Sequence, residues 1–216
     1  MEESINILLD PLPQTVEIDT NQVPVNWGYR ACILIEIIMF SSLSDEEKIR
    51  RALDIFYYKK IPGNVETALD KMLWFYNCGK EGKQIKRKGG SQKRSYCFEQ
   101  DASLIYAAFR TQYHINLNRT PNKQIHWWEF SAMFESLDDD LKICRVMYWR
   151  TTGTKGMLRK EAAFIRKMKK MFALKEAESN MDNKVKLAKR NADMKAYVKR
   201  RFLECQIKGG DINAKE

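Results

Sequence analysis

A chain of 216 residues with 44% apolar and 11% aromatic side chains holds enough hydrophobic surface to offset the entropy of ordering, which excludes wholesale disorder and leaves room for one large domain. A formal charge of +10 raises nucleic acid or an acidic partner as a candidate ligand. Five separated cysteines, with no C-x-x-C pair, exclude a disulfide framework and a zinc module of the usual spacing.

The first residues, Met1-Glu2-Glu3-Ser4, place acids where a signal peptide needs Lys or Arg, so a soluble cytoplasmic protein is expected. Val16 and Ile18, then Val23, Val25 and Trp27, alternate with polar neighbours around Asp19-Thr20-Asn21, which predicts a β-hairpin within residues 1–28 packed on the helices that follow. Tyr29 to Phe40 reads as a helix apolar nearly all round, far short of the roughly 20 residues that cross a bilayer, and Glu36 inside it calls for a Lys or Arg partner. Ser44-Asp45-Glu46-Glu47 starts a second helix, to about residue 58, with Ile49, Leu53 and Phe56 inward. Asn64 starts a third after the Ile61-Pro62-Gly63 break, with Val65, Leu69, Met72 and Tyr76 on one face up to Gly79.

From Lys80 to Arg94 seven basic residues and three glycines leave Ile85 as the one sizeable hydrophobe, predicting a flexible, solvated loop that is dispensable for folding. A further helix carries Ala102, Ile105, Phe109 and Tyr113, and a turn follows over Asn116 to Lys123. Trp127, Phe130, Phe134 and Leu137 then lie on one face of a helix, with Ile125, Trp128 and Ala132 on another. Asp138-Asp139-Asp140 is read as ending that helix and capping the next, which presents Leu141, Cys144 and Tyr148. Leu158, Ala162, Ile165, Met168 and Phe172 give a last amphipathic helix with a cationic outer face, and Lys142 to Leu174 holds ten basic residues against the single acid Glu161. Residues 175–216 form a polar extension with a weak stripe of Leu187, Asn191, Met194, Val198 and Cys205, a possible seam for self-association. The expected fold is therefore mainly α: six or seven helices over residues 29–174, a small N-terminal hairpin, and a C-terminal helical or flexible extension.

Chemistry is scarce in this pattern. The chain contains no G-x-S-x-G, G-x-x-x-x-G-K-[ST], G-x-G-x-x-G or H-E-x-x-H, and His114 and His126 are its two imidazoles. His126 beside two tryptophans reads as a packed helix residue, and the Asp138–Asp140 run as a cap before a Mg²⁺ site. The expectation is a binding protein with no catalytic centre, cofactor or metal. Adjacent helical residues point about 100° apart, so either both tryptophans are core or one faces a groove where a partner docks. Trp127, Trp128, Phe130 and Phe134 are the candidate partner-binding residues. The basic loop and the basic helix are the nucleic-acid candidates, although the loop lacks the aromatics that stack on bases.

Several ordered motifs resemble the bacteriophage gene-product-fifteen family: Val25-Asn26-Trp27-Gly28-Tyr29-Arg30, Leu73 to Gly79, Phe98 to Phe109, His126-Trp127-Trp128-Glu129-Phe130, Met147-Tyr148-Trp149-Arg150 and Lys169 to Leu174. The resemblance covers about residues 10–174; the glycine-rich basic loop and the extension past Lys175 depart from it. It implies a non-catalytic tail assembly chaperone of long-tailed phages that binds the tape measure protein, assists tail tube assembly, acts in the cytoplasm of the infected or lysogenic host, and is left out of the mature virion. A nucleic-acid-binding phage protein is the alternative.

Overall fold

In the computed structural model, residues 5–80, 94–118 and 125–175 are described. The chain divides into two compact units, Met1–Leu174 and Lys175–Glu216, and the description that follows concerns the first. Most of the Lys80–Arg94 loop, the end of the Asn116–Lys123 turn and the C-terminal stripe lie outside the described residues.

The architecture is seven helices preceded by one antiparallel two-stranded hairpin. Strands β1 (Thr15–Ile18) and β2 (Asn21–Pro24) pair with Val16 opposite Val23. Asp19 and Thr20 both adopt positive φ, 48° and 66°, the turn geometry whose twist matches the strands it joins. Val16 and Ile18 point inward together with Val25, so the hairpin is one wall of the core rather than an isolated ribbon.

Helices α1 (Tyr29–Met39), α2 (Asp45–Phe56) and α3 (Val65–Tyr76) follow, and the starts of α2 and α3 lie where their cap residues place them. Ser44 accepts a hydrogen bond from the Glu47 amide at 3.2 Å and Asn64 from that of Thr67 at 3.1 Å, each satisfying a donor that the first helical turn leaves orphaned. The α1 surface is not enclosed all round: Leu34, Met39 and Phe40 reach solvent. In α3 the buried stripe is Ala68, Met72 and Phe75, turned from the expected Val65-Leu69-Met72-Tyr76 line, and Val65 is exposed.

Helices α4 (Ala102–Gln112), α5 (Trp127–Glu135), α6 (Lys142–Thr151) and α7 (Arg159–Met171) complete the unit. The Asp138–Asp140 run does not cap α6. Leu141 holds the N-cap position without a side-chain bond, and the three carboxylates are exposed. The inward face of α6 is Ile143, Val146 and Arg150, not Leu141, Cys144 and Tyr148. The helix is rotated by the burial of Arg150, which seeks a carboxylate on the neighbouring element. Of the expected α7 face, Ala162 and Ile165 are buried, while Leu158 is 73% exposed.

Candidate functional site

The four aromatic residues singled out by sequence lie on α5, whose entry is fixed by His126. The His126 amide donates to Glu129 Oε2 at 2.9 Å, and its Nδ1 accepts from the Trp128 amide at 3.1 Å. Its Nε2 lies 2.9 Å from the Pro13 carbonyl, so Nε2 carries the proton and the ring is neutral. Burial pushes the imidazole below its ordinary pKa, outweighing the opposing pull of the Pro13 carbonyl and Glu129. The ring stacks on Trp27 at 5.7 Å.

Trp127 and Trp128 are 4% and 3% exposed, so neither lines an open groove. Of the two alternatives read from the sequence, this is the one in which both are core. The reason is polar as well as apolar. Trp128 Nε1 donates to the Phe75 carbonyl and Trp127 Nε1 to the Tyr76 carbonyl, both at 2.8 Å. These are the last two residues of α3, where helix carbonyls lose their intrahelical partners, so the two indoles close the C-terminus of a different helix. The chain can turn beneath them because Gly79 has φ +69° and no side chain; a Cβ there would stand 2.7 Å from Trp128 Cη2. Phe130 is buried between Tyr29 at 5.0 Å and Phe109 at 4.8 Å, and half-buried Phe134 packs edge-on to Tyr96 at 5.0 Å. The four residues are brought together, but as the centre of the core.

Two buried charges frame this centre. Glu36 accepts from the Tyr76 hydroxyl and from Arg94 Nη2 at 3.1 Å, so the cation that Glu36 calls for is Arg94. Arg94 also lies 3.4 Å from the centroid of Phe40, and it therefore belongs to the fold rather than to a solvated loop. Desolvation first, and the neighbouring carboxylate second, drive the Tyr76 hydroxyl far above its ordinary pKa, keeping it a donor. Asp101 and Arg150 form a two-pronged pair at 2.6 and 2.9 Å. Asp101 Oδ2 also accepts from the Cys97 amide, and Arg150 donates to the carbonyls of Ser95 and Phe172. In the sequence Arg150 is one of the ten basic residues of the Lys142–Leu174 segment, with no partner evident. Its signal was its place at i, i+3, i+7 with Ile143 and Val146.

These contacts join the sequence motifs to one another. Trp127 N donates to Trp27 O at 2.9 Å and Tyr29 N to Ile125 O at 3.1 Å, so the two helix starts pair as a short antiparallel bridge at Gly28 and His126. The 73–79 segment receives both indoles, and the 98–109, 147–150 and 169–174 segments meet at Asp101, Arg150 and Phe172. The family model described as Bacteriophage Gp15 protein matches residues 8–174. The chain belongs to that family. No curated protein and no solved structure matches it.

The Gp15 core thus holds the polar atoms of Glu36, Asp101, His126 and Arg150 in contacts within the fold. Among the described residues no group of three or more His, Cys, Asp or Glu is placed to hold a metal, and no helix is long and apolar enough to cross a membrane. Among the outward apolar features of the unit is α7 with its lead-in. Leu158, Phe164 and Met171 are 73%, 52% and 61% exposed, as is Tyr148 of α6 at 54%. Between the two helices runs an open trough of about 520 Å³ lined by Tyr148, Met157, Lys160, Glu161, Phe164 and Ile165.

Proposed function

We propose that this Gp15-family protein is a non-catalytic tail assembly chaperone that binds the tape measure protein, keeps its apolar helices from aggregating, and assists tail tube assembly in the cytoplasm of the phage's bacterial host. The observation that carries the reading is the family match across residues 8–174, since the resemblance implies a chaperone encoded among the tail genes of long-tailed phages. Two physical features support it. His126, Asp101, Glu36 and Arg150 each have their polar atoms occupied by fold contacts, so none is poised to act on a substrate. The protein also carries large apolar side chains on an outward helix, as a binder of apolar helices requires.

The test is co-expression of the chain with its neighbouring tape measure gene, followed by affinity purification with and without nuclease. Soluble tape measure protein that copurifies after nuclease treatment supports the reading. Tape measure protein left in the pellet refutes it. A second reading, nucleic-acid binding, is favoured by the exposed Lys and Arg residues of α7 and would show as bound nucleic acid that falls away with salt.

A further inference from the structure

Helix α7 is held to the rest of its unit on one side only. Ala162 and Ile165 are its buried residues, and its C-terminal end is pinned by the bond from Arg150 Nε to the Phe172 carbonyl at 2.7 Å. Phe164, Met168 and Met171 stand at i, i+4 and i+7, forming an apolar stripe beside the buried face. Phe164 and Met171 are exposed, and the trough against α6 opens at the Phe164 end of the stripe, lined there by Tyr148 and Met157. An apolar stripe of that spacing in a soluble face, next to a concavity, is the surface an amphipathic helix fills with its own i, i+3/i+4, i+7 side chains.

The charge around the stripe specifies that helix further. Lys160, Lys167 and Lys170 are exposed along its far edge, with Arg159 and Arg166 beyond them. None of these five cations is in an ion pair among the described residues. A partner helix with acids along one border of its apolar stripe would meet them, giving fast association and a fixed orientation. We propose that the outer face of α7, with its trough against α6, is a docking surface for an amphipathic helix whose apolar stripe is bordered by Asp and Glu. The proposal deepens the chaperone reading by naming the surface and the chemistry of the client segment, and it rests on that reading for the occupant being a protein helix.

A polyanion fits the same cations but not the rest of the face. Leu158 and Met171 offer nothing to phosphate or to a base, and of the two exposed rings on the face, Tyr148 and Phe164, the second is held edge-on by Trp149, which is itself stacked on Phe172 at 5.4 Å. Glu161 lines the trough and repels phosphate, whether of a nucleic acid or of an anionic lipid. A concave trough also suits a protruding side chain better than it suits a flat bilayer surface.

The experiment uses the full chain and a labelled synthetic peptide of about 20 residues, long enough for several helical turns, with Leu at i, i+3/i+4, i+7 positions bordered by Glu. A scrambled peptide of the same composition keeps the charge and destroys the stripe. Binding is read by fluorescence anisotropy. The scrambled peptide is expected to bind about thirtyfold more weakly, the ratio that one hot-spot contact of about 2 kcal/mol sets. Phe164→Ser and Met171→Ser should each weaken the ordered peptide about tenfold or more. Met171 is a solvent-side residue whose substitution leaves the Trp149 contact of Phe164 untouched, so it keeps the test valid if Phe164→Ser loosens the fold. Lys160→Glu combined with Lys167→Glu should reverse the preference toward a peptide with Lys in place of Glu. Equal binding of ordered and scrambled peptides overturns the proposal, as does displacement of the peptide by a single-stranded oligonucleotide or by phosphatidylglycerol vesicles with no effect of either Ser substitution. These outcomes are independent of whether the tape measure protein copurifies, so failure of the partner assignment and failure of the surface are told apart.

Discussion

Replacing Asp101 by Asn removes a charge from a pair whose side chains are 5% and 8% exposed, and leaves the Arg150 guanidinium buried without a counter-charge. The Asn amide can keep an oxygen at the Oδ2 position, which the Cys97 amide and Arg150 Nη1 both address, but then sets its NH₂ against the Arg150 Nη2 donor. Breaking one side of a buried pair costs about 3–5 kcal/mol. Arg150→Met should cost a similar amount by a different route: it strands the Asp101 carboxylate and leaves the carbonyls of Ser95 and Phe172 without their donor, each worth about 1–3 kcal/mol when buried and unsatisfied. With Asp101→Asn and Arg150→Met combined, the charges vanish together and the two stranded carbonyls are the main loss. The double variant should therefore be more stable than the two single effects added together predict. Urea unfolding followed by tryptophan fluorescence measures all three, using the five tryptophans already present. Single costs below about 1 kcal/mol, or strict additivity, would show that the pair is solvated and does not tie α4, α6 and the end of α7 together.

Trp127→Ala and Trp128→Ala should both destabilise the fold by roughly 3–5 kcal/mol in the same urea assay, and a normal fold for either would contradict its capping role at the end of α3. Gly79→Ala should cost at least about 2 kcal/mol, from the left-handed backbone and the clash with Trp128, whereas Gly63→Ala, where a Cβ meets nothing, should fall well below it on the same scale. His126 has a lowered pKa, so the unfolded chain takes up the proton first as pH falls: its contribution is complete above the ordinary imidazole value of about 6.5 and is lost from there downward toward the lowered folded value. Between pH 7.5 and about 5 the wild type should lose stability relative to His126→Asn, which keeps a cap acceptor but does not titrate; parallel curves would mean the ring is not held neutral.

Local chemistry was legible in the sequence where a short-range rule decides it. The caps at Ser44 and Asn64, the turn at Asp19 and Thr20, and the α4 face of Ile105 and Phe109 each follow from residues within one turn of the chain. What failed needed a partner from elsewhere. Arg150 is one cation of a basic segment until Asp101, 49 positions away, is placed against it, and with it buried the α6 face rotates and Tyr148 turns outward. Arg94 reads as the end of a basic loop until Glu36 and Phe40 receive it. The tryptophan pair posed the same problem. Their spacing puts them on different faces of α5, but both faces are covered because α3 ends where both indole N–H groups can reach its carbonyls.

The same contacts limit what the aromatic centre can say about function. The motifs that mark the chain as a Gp15 protein touch one another at Gly28 and His126, at Phe75 and Trp128, and at Asp101 and Arg150, so each is explained by folding before any partner is invoked. A substitution there lowers stability, so a lost pull-down in the proposed chaperone assay would not distinguish a missing surface from an unfolded protein. The outer residues of α7 separate the two. Met171 and Lys167 contribute almost nothing to the core, so a variant there that melts normally yet no longer binds reports on recognition alone. It follows that a chaperone role for this chain is to be tested on α7 and its trough rather than at Trp127 and Trp128.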